Sequence, residues 1–529
     1  MKSKIIQIAC LVALGAFLNA CINTLDTEPL DDEILNANSI FDDEAAYKQF
    51  LAKLYGSLTL TGQRGEAGMP EISAGDEGTT SFMRTYWSAQ EISTDEAINA
   101  WGDPGLVDFN GHIWSDQNLY NQLMYQRIFI NISYCNEYIR VVGGRVDDLS
   151  GQLKEDVQGY LVEARFLRSL YYYFAMDLWG NVPFVTEKDA TGAFLPRQIS
   201  RSDLFTYIES ELTAILPDLL NPRQNEYARA DKAAAWMVLA KMYLNAEVYT
   251  GTAMYSECIE MCQNILNAGY TLHDNYAELF LADNHLLRNE IIFPVAEDGN
   301  NTRNYGGVTY IIHAAVGGSA DADNDFGISA GGWSGNRLTS SFVEKFADPS
   351  GDTDQRAIFY TDGQSLEIDN PQVFTEGYMS AKFKNLTSSG EKGVHGMFVD
   401  TDFPLFRLGD VHLMYAEAVL RGGSGGTTAI ALELVNDLRE RAYGDNSGNI
   451  TASNLTLDFI LEERARELHW EAHRRTDLVR YGLFTGNGYV WDWKGGVKDG
   501  QSTQPHLALF PLPSSDLGLN TNLEQNKGY

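Results

Sequence analysis

The stretch Tyr160-Leu-Val-Glu-Ala-Arg-Phe-Leu-Arg-Ser-Leu-Tyr-Tyr-Tyr-Phe-Ala-Met-Asp-Leu178 decides the fold class of this chain. Its apolar residues recur at steps of three and four, which is the pattern of an amphipathic α-helix. The stretch therefore predicts a long helix over residues 152–179.

The same periodicity extends outward on both sides of this helix, in a block of about 43–269 and a second block that ends near 480. Short turns between successive helices, and a spacing of about 34 residues between some helix starts, favour tetratricopeptide-like helical pairs. The predicted helices are 120–142, 152–179, 201–219, 231–248, 255–268, 408–421, 428–441 and 455–480.

Two segments rich in Gly, Asn, Asp and Ser interrupt the helical pattern, at about 62–116 and about 294–405. The second contains the short β-type run Val308-Thr-Tyr-Ile-Ile312. Loops of this length are uncommon on a helical scaffold unless they carry function. We predict one domain over 41–529 that is mostly α. Its tetratricopeptide-like helical-pair scaffold, about 41–290 and 405–485, presents a loop-rich, minor-β insertion region, with the two insertions side by side.

Composition narrows the possible partners. With 39 Lys+Arg against 72 Asp+Glu, the chain has a formal net charge of −33. Nucleic-acid binding needs clustered cations, so this balance argues against a nucleic-acid partner and against attachment to anionic lipid headgroups. The chain is also rich in aromatic residues, with 27 Tyr, 25 Phe and 9 Trp.

The N-terminus predicts an exported protein. Lys2 and Lys4 precede an apolar run from Ile5 to Phe17 that ends in Leu18-Asn-Ala-Cys21, so residues 1–20 have the pattern of a secretory signal peptide. Cysteine directly after Leu-Asn-Ala resembles a lipoprotein lipobox, which predicts lipidation of Cys21; the alternative is a plain signal peptide with a chance cysteine. The acidic residues that follow predict a tether over 21–40. No later run reaches the roughly 18 apolar residues of a membrane-spanning helix.

No sequence motif argues for catalysis or for a metal site. The 72 acidic residues single out no glycosidase pair. His469 and His473 stand four residues apart, but Trp470 occupies the place where a zincin requires glutamate. Asp321-Ala-Asp-Asn-Asp325 begins like a calcium loop, but glycines then stand where an EF-hand requires other residues. We therefore predict no catalytic residue and no metal ligand.

The insertions do argue for ligand binding. A sugar ring has an apolar C–H face that stacks on aromatic rings and hydroxyls that bind guanidinium and carboxylate groups. Trp101, Tyr305 and Trp333 have glycine neighbours, which would leave their faces open to such a ligand. The alternative is that these rings are hydrophobic plugs beneath loops.

Several stretches resemble the SusD/RagB family of Bacteroidetes outer-membrane lipoproteins, over essentially the whole chain. They are the lipobox, Ala164-Arg-Phe-Leu-Arg168, Arg229-Ala-Asp-Lys-Ala-Ala-Ala-Trp236, Asp402-Phe-Pro-Leu-Phe-Arg407, Arg474-Arg-Thr-Asp-Leu-Val-Arg480 and Asn522-Leu-Glu-Gln-Asn-Lys-Gly-Tyr529. Others, such as Thr302-Arg-Asn-Tyr-Gly-Gly307 and Tyr489-Val-Trp-Asp-Trp-Lys-Gly-Gly496, resemble the starch-binding member of that family.

The resemblance implies a set of site residues. In the starch-binding relative three aromatic residues cradle an α-glucan and polar groups grip its hydroxyls. The corresponding residues here are Asp76, Gly78, Arg84, Trp101, Asp103, Tyr305 and Trp333. The chain also departs from the relative: an asparagine contact after the first aromatic residue is replaced here by Asp103 or Pro104. His285 aligns with one of the relative's calcium ligands, which argues against that metal site here. We therefore predict no cofactor and leave calcium unassigned.

The resemblance also implies a function. It predicts a non-catalytic lipoprotein, anchored by lipid at the outer membrane on the cell surface. The protein would bind starch and malto-oligosaccharides and deliver them to a SusC-like, TonB-dependent transporter. Two alternatives remain: the same role for a different glycan, and a surface glycoside hydrolase.

Overall fold

The structure, a computed structural model, describes residues 40–63, 65–66, 70–192 and 194–529. The predicted signal peptide, Cys21 and all but the last residue of the predicted tether lie outside the described residues. The chain divides into two compact units, residues 1–49 and residues 50–529. The first unit is described from residue 40. It contains a short 3-10 helix, Ile40–Asp42, and the start of the first α-helix, Ala45–Gly56. All of the features discussed below lie in the second unit.

The structure is mainly helical, with 47% helix and 6% strand, which confirms the predicted fold class. The α-helices are α1 (Ala45–Gly56), α2 (Phe82–Trp87), α3 (Leu106–Gly111), α4 (Leu119–Gly143), α5 (Gly151–Trp179), α6 (Arg201–Ile215), α7 (Lys232–Leu244), α8 (Ala246–Thr250), α9 (Tyr255–Asn267), α10 (Gly307–Ala315), α11 (Ala322–Phe326), α12 (Ser340–Val343), α13 (Leu408–Leu420), α14 (Thr428–Tyr443), α15 (Leu457–Leu468), α16 (Arg474–Arg480) and α17 (Ser514–Leu519). A π-helical turn, Ser88–Ile92, continues α2.

Short strands and 3-10 helices make up the rest of the regular structure. The strands are β1 (Ala97–Asn99), β2 (Val182–Pro183), β3 (Gln198–Ile199), β4 (Ile291–Val295), β5 (Asn336–Leu338), β6 (Phe359–Tyr360), β7 (Met379–Ser380) and β8 (Phe403–Arg407). They form four antiparallel pairs: β1 with β5, β2 with β3, β4 with β8, and β6 with β7. The other 3-10 helices are Glu77–Thr80, Val146–Asp148, Tyr276–Phe280, Asn284–Leu286, Asn446–Gly448, Lys494–Gly496 and Pro505–Ala508.

The scaffold consists of helical pairs. A short connection joins α4 to α5, and α5 in turn packs against α6; α7 pairs with α9, and α13 packs against both α9 and α14. The sequence favours Ser202 and Asp231 as helix N-caps. Asp231 is confirmed, because its carboxylate accepts the N–H groups of Ala233 and Ala234 at 2.8 and 3.2 Å at the start of α7. Ser202 is wrong, because the cap of α6 lies two residues earlier, where the Ser200 hydroxyl accepts the Asp203 N–H at 3.1 Å. Leu167 and Leu170 of α5 are fully buried. Burial of such a side chain contributes about 1.5–3 kcal/mol, so packing holds these pairs together.

The β-type prediction for Val308–Ile312 is wrong, because these residues lie in helix α10. A short apolar run does not distinguish a strand from a buried helix, and this helix is buried over its whole length. Gly307, at φ +56°, begins the helix, and the Val308 N–H donates to the Glu297 carboxyl oxygen at 3.2 Å. Burial on all faces therefore outweighs the strand propensity of the β-branched residues.

The single helix predicted over 455–480 is also wrong, because the chain breaks between α15 and α16. Trp470 and Ala472 adopt φ angles of +66° and +62° at the break. Two buried carboxyl groups hold this strained segment: Glu96 accepts the Trp470 N–H, and Glu91 accepts the Ala472 N–H. Those partners come from the first insertion, so the periodicity of the segment itself contains no sign of the break.

A buried network of ion pairs joins α15 to the surrounding elements. Arg407, at the end of β8, pairs with Glu467 at 2.7 Å and with Glu471 at 2.6 Å. Arg356 pairs with Glu463 at 2.8 Å. Although burial opposes it, the neighbouring guanidinium groups lower the pKa of Glu463 to about 2. Loss of one partner from such a network typically costs about 3–5 kcal/mol.

The pairing of β1 with β5 brings the two insertions together. Ala97 stands opposite Leu338 and Asn99 opposite Asn336, and the ladder continues with the Ala100 N–H donating to the Gly335 carbonyl at 2.8 Å. The first strand leads directly into Trp101, and the second follows Trp333 closely. This small sheet therefore places residues from distant parts of the chain side by side.

Candidate functional site

One cleft collects six of the seven residues that the resemblance singled out. The cleft has a volume of about 290 Å³ and is lined by Asp76, Arg84, Trp101, Asp103, Tyr305 and Trp333. Gly78, the seventh residue, lies buried behind the cleft. The fold thus brings together side chains that lie more than 250 positions apart in the sequence, from Asp76 to Trp333.

Four local features of the fold position these side chains. Helix α2 presents Arg84, and the segment before α10 presents Tyr305. Trp101 follows β1, and Trp333 precedes β5, so that the β1–β5 pairing sets their separation. Asp76 caps the 3-10 helix Glu77–Thr80, where its carboxylate accepts the N–H of Gly78 at 3.1 Å. Arg84 therefore lies on a helix, and the other four side chains lie within three residues of a hydrogen-bonded element.

The three aromatic rings form an arc along the cleft. All three are half-buried. The ring centroids of Trp101 and Trp333 are 6.5 Å apart, and those of Tyr305 and Trp333 are 6.4 Å apart. The ring planes are inclined by 42° and 50°, respectively, so the surface that they offer is curved rather than flat.

Contacts behind the arc hold the rings in place. Trp333 stacks on the imidazole of His313 at 4.8 Å between centroids, with 23° between planes. The Trp101 indole N–H donates to the carbonyl of Trp333 at 3.0 Å, and the ring of Tyr305 contacts that of Phe398 at 5.5 Å. A ligand that stacks here meets rings that are already oriented, which lowers the entropic cost of binding.

The glycines beside these rings serve close packing of the backbone. A Cβ atom on Gly306 would lie 2.2 Å from the Cβ of Ser81, and one on Gly332 would lie 2.1 Å from the carbonyl oxygen of Val316. A Cβ on Gly78 would lie 2.2 Å from the carbonyl oxygen of Tyr305. These glycines let neighbouring segments approach closely, and that close approach fixes where the rings stand.

Arg84 lies at the base of the cleft with its guanidinium almost entirely buried. Its Nη1 donates to the Asp76 carboxylate at 2.8 Å, and its Nη2 donates to the Tyr120 hydroxyl at 3.4 Å. The guanidinium carbon lies 4.6 Å from the ring centroid of Tyr310 and 5.7 Å from that of Trp101. This cation–π packing fixes a group of directed donors beside the aromatic arc.

Two carboxylates supply acceptors at the rim. The side chain of Asp76 is 48% exposed while it holds Arg84. Asp103 is half-buried, and one of its oxygens accepts the Tyr120 hydroxyl at 3.4 Å. An aromatic arc with a guanidinium and carboxylates beside it suits a ligand with apolar faces and adjacent hydroxyl groups.

Two further carboxyl groups, which the sequence did not single out, hold the segment that carries Tyr305. Glu77 accepts the Tyr305 N–H at 3.0 Å. Glu297 accepts the hydroxyls of Thr59 and Thr302, both at 2.7 Å. Burial raises the pKa of Glu77 and of Glu297 to about 7.

Tyr120, Tyr310, His313 and Gly335 also support the site without having been predicted. The first three stand in ordinary helical or apolar contexts in the sequence, and Tyr310 belongs to the run that was assigned to a strand. Gly335 closes the glycine-rich stretch Gly331-Gly-Trp-Ser-Gly335. A ring such as Tyr310 becomes recognisable only through its contact with Arg84, a partner 226 positions away, as their numbers show. Nothing in the local sequence signals such long-range contacts.

The metal candidates do not form a site within the described residues, where no three His, Cys, Asp or Glu side chains are grouped to hold a metal ion. His469 contacts the carbonyl of Arg466, whereas His473 contacts Lys241. Asp321 caps α11 by accepting the Asn324 N–H.

His285, which stands where the starch-binding relative has a calcium ligand, does not suit calcium. Calcium takes oxygen ligands, whereas His285 offers imidazole nitrogen and its ring lies beside that of Tyr227 at 6.4 Å between centroids.

Among the helices described, none combines the length and the apolar character needed to cross a bilayer.

The family models and the curated relatives that match this chain are all of the SusD type. The SusD family model matches residues 336–529, and a family model described as "Starch-binding associating with outer membrane" matches residues 42–244. The starch-binding protein SusD of Bacteroides thetaiotaomicron is 34% identical over 100% of both chains. SusD-like protein P25 of Formosa agariphila is 25% identical over 72% of this chain and 75% of its own.

Solved structures share the fold. A SusD-like carbohydrate-binding protein from Bacteroides fragilis has a TM-score of 0.71 at 20% identity and covers 92% of this chain and 100% of its own. Surface glycan-binding protein A from Bacteroides thetaiotaomicron, in complex with laminarihexaose, has a TM-score of 0.67 at 17% identity and covers 92% and 99%.

Proposed function

The chain belongs to the SusD family, and from this premise we propose that it is a non-catalytic cell-surface protein that binds starch and malto-oligosaccharides. The observation that carries the proposal is the cleft itself. Three half-buried rings form a curved surface there, and a fixed guanidinium lies at its base.

The shape of the cleft favours a curved glucan. Successive glucose rings of an α-1,4-linked chain turn relative to one another, so their apolar faces follow an arc rather than a plane. Rings inclined by 42° and 50° suit such a chain better than a flat one. Arg84 is placed to donate to hydroxyl oxygens, while Asp76 and Asp103 are placed to accept from hydroxyl groups.

The family relationship supports the other parts of the proposal. The curated relative at 34% identity is named as starch-binding, and one matching family model is described as associating with the outer membrane. We therefore propose that Cys21 carries a lipid anchor at the outer membrane. We also propose that the bound glucan passes to a SusC-like, TonB-dependent transporter.

A β-linked glucan is the second candidate ligand. Two proteins of the same fold are described as a laminarin-binding SusD-like protein and a glycan-binding protein in complex with laminarihexaose. The same rings and polar groups would serve such a glucan, so the choice depends on the curvature that the arc accepts.

Affinity electrophoresis through native gels that contain starch, laminarin or no polysaccharide tests the proposal. We expect starch to retard the wild type, and Trp333→Ala to lose about tenfold or more in affinity, because one stacking surface disappears. Trp493→Ala is the matched control, since Trp493 is also half-buried but does not line the cleft. Equal mobility with and without starch contradicts starch binding, and retardation by laminarin alone would transfer the proposal to the β-glucan.

A second measurement addresses catalysis. We expect no reducing ends to appear when the protein is incubated with amylose, because the proposed site uses its carboxylates for hydrogen bonding. A steady release of reducing ends that Asp76→Asn or Asp103→Asn abolishes would establish a glycoside hydrolase instead.

A further inference from the structure

The charges in the cleft do not balance. Of the six residues that line it, Asp76 and Asp103 are acidic and Arg84 is the one basic residue. Arg84 is committed to Asp76, with 2.8 Å between Nη1 and the carboxylate oxygen. One carboxylate is therefore left without a basic partner among the residues that line the cleft.

Asp103 is that carboxylate. Within the described residues it takes part in no ion pair. Its carboxylate accepts a hydrogen bond from the hydroxyl of Tyr120, with 3.4 Å between the oxygen atoms. Tyr120 is buried, and its pKa is raised, chiefly by burial, so this partner is a neutral donor. The Tyr120 hydroxyl in turn accepts a hydrogen bond from Arg84. This bond polarises the hydroxyl, but the hydroxyl itself carries no charge that could neutralise Asp103.

We propose that Asp103 is a specificity-determining residue that makes this cleft prefer uncharged glycans over glycans with carboxylate, sulfate or phosphate groups. The proposal rests on the proposed function, since it requires that a glycan occupies the cleft. A neutral glucan offers its hydroxyl hydrogens to the free carboxylate oxygen of Asp103. An anionic sugar in the same place would bring two like charges together beside an apolar surface, where water cannot screen them fully.

Coulomb's law gives the size of the effect. For two like unit charges about 7 Å apart, an effective dielectric constant between about 40 and 80 corresponds to a factor of about 3 to 8 in affinity. The effect should shrink as salt is added, because the screening length falls from about 30 Å at 0.01 M to about 8 Å at 0.15 M. Dependence on salt therefore separates a charge effect from a change in shape.

Calorimetric titration tests the proposal with two ligands of equal length: maltoheptaose, and maltoheptaose in which one glucose is oxidised to glucuronic acid. We expect the wild type to prefer the neutral ligand about 3- to 8-fold at 0.02 M salt. In Asp103→Asn, an isosteric change that removes the charge, we expect the preference to fall below 2-fold. Asp116→Asn makes the same change in net charge at a half-buried aspartate outside the cleft and should retain the preference.

The possible results are distinct. If the wild type binds the neutral and the acidic ligand equally, or if Asp103→Asn keeps the wild-type preference, Asp103 does not select by charge and the proposal is wrong. If Asp116→Asn lowers the preference as much as Asp103→Asn, the selection comes from the overall charge of −33 rather than from the cleft. If the wild type binds neither ligand, while its unfolding curve shows a folded protein, the proposed function fails and this inference fails with it.

Discussion

Gly335→Ala should displace one ring of the aromatic arc, that of Trp101, without substituting any of the predicted site residues. A Cβ atom at Gly335 would lie 2.6 and 2.7 Å from the Cε2 and Cζ2 atoms of Trp101 and 3.0 Å from the Asn99 amide nitrogen. Carbon atoms in contact stand about 3.5–4.0 Å apart, so the indole must move by about 1 Å. The φ of Gly335 lies outside the left-handed region, so the backbone itself accepts alanine.

The displacement has two measurable costs. The Trp101 indole is tied to the Trp333 carbonyl by a 3.0 Å hydrogen bond, and a 1 Å shift weakens both this bond and the stacking surface. Loss of one aromatic contact, at about 0.5–1.5 kcal/mol, together with part of a hydrogen bond, at about 1 kcal/mol, predicts a loss of about tenfold in affinity. Overpacking should lower the free energy of unfolding by about 1–3 kcal/mol.

Calorimetric titration with maltoheptaose measures the first cost, and urea unfolding measures the second. Gly102→Ala is the control, because it adds the same methyl group beside Trp101, where the nearest atom is the Gln372 amide nitrogen at 4.0 Å. It should bind like the wild type. If Gly335→Ala is folded and binds with wild-type affinity, the position of Trp101 does not matter for binding, and our account of the arc is refuted.

Two further predictions concern pH and the buried ion pairs. Burial raises the pKa of Glu297 to about 7, so its contribution to stability is fully present below about pH 4.5 and is lost as the pH rises through 7. At 1.36 kcal/mol per pKa unit, the rise from 4.5 to about 7 corresponds to at most about 3 kcal/mol of stability. Glu297→Gln should therefore flatten the dependence of the free energy of unfolding on pH between pH 5 and 8. An unchanged dependence, measured by urea unfolding at each pH, would contradict this. Arg407→Met should lower the free energy of unfolding by about 3–5 kcal/mol, because Glu467 and Glu471 each lose a partner within the buried network. Adding Glu471→Gln should recover part of that loss, and additive destabilisation would show that the charges are not coupled.

Local sequence was enough for the helical scaffold. The periodicity over 152–179 predicted α5 to within one residue at its start, and Asp231 was recognisable as the cap of α7. These features depend on interactions within a few residues of the chain, which is the range that a sequence pattern encodes. The aromatic residues of the site were identified through a family resemblance, because three tryptophan or tyrosine residues among 61 aromatics carry no mark of their own.

Tertiary contacts decided the remaining features. The run Val308–Ile312 is a helix because it is buried on every side, and the helix predicted over 455–480 breaks because Glu91 and Glu96 reach it from a distant insertion. The cleft itself exists because β1 pairs with β5 and because glycines allow the backbones behind the rings to approach closely.

The sequence by itself therefore determined that this chain is a mainly helical member of its family with a set of candidate site residues. Only the tertiary structure decided that Trp101, Tyr305 and Trp333 form one arc and that Asp76 pairs with Arg84. It also decided that Asp103 takes part in no ion pair with any residue that the structure describes. The physical reason is the separation along the sequence over which each interaction acts. Helix formation is governed by neighbours three and four positions apart, whereas stacking, charge balance and curvature depend on groups that meet only after the chain has folded.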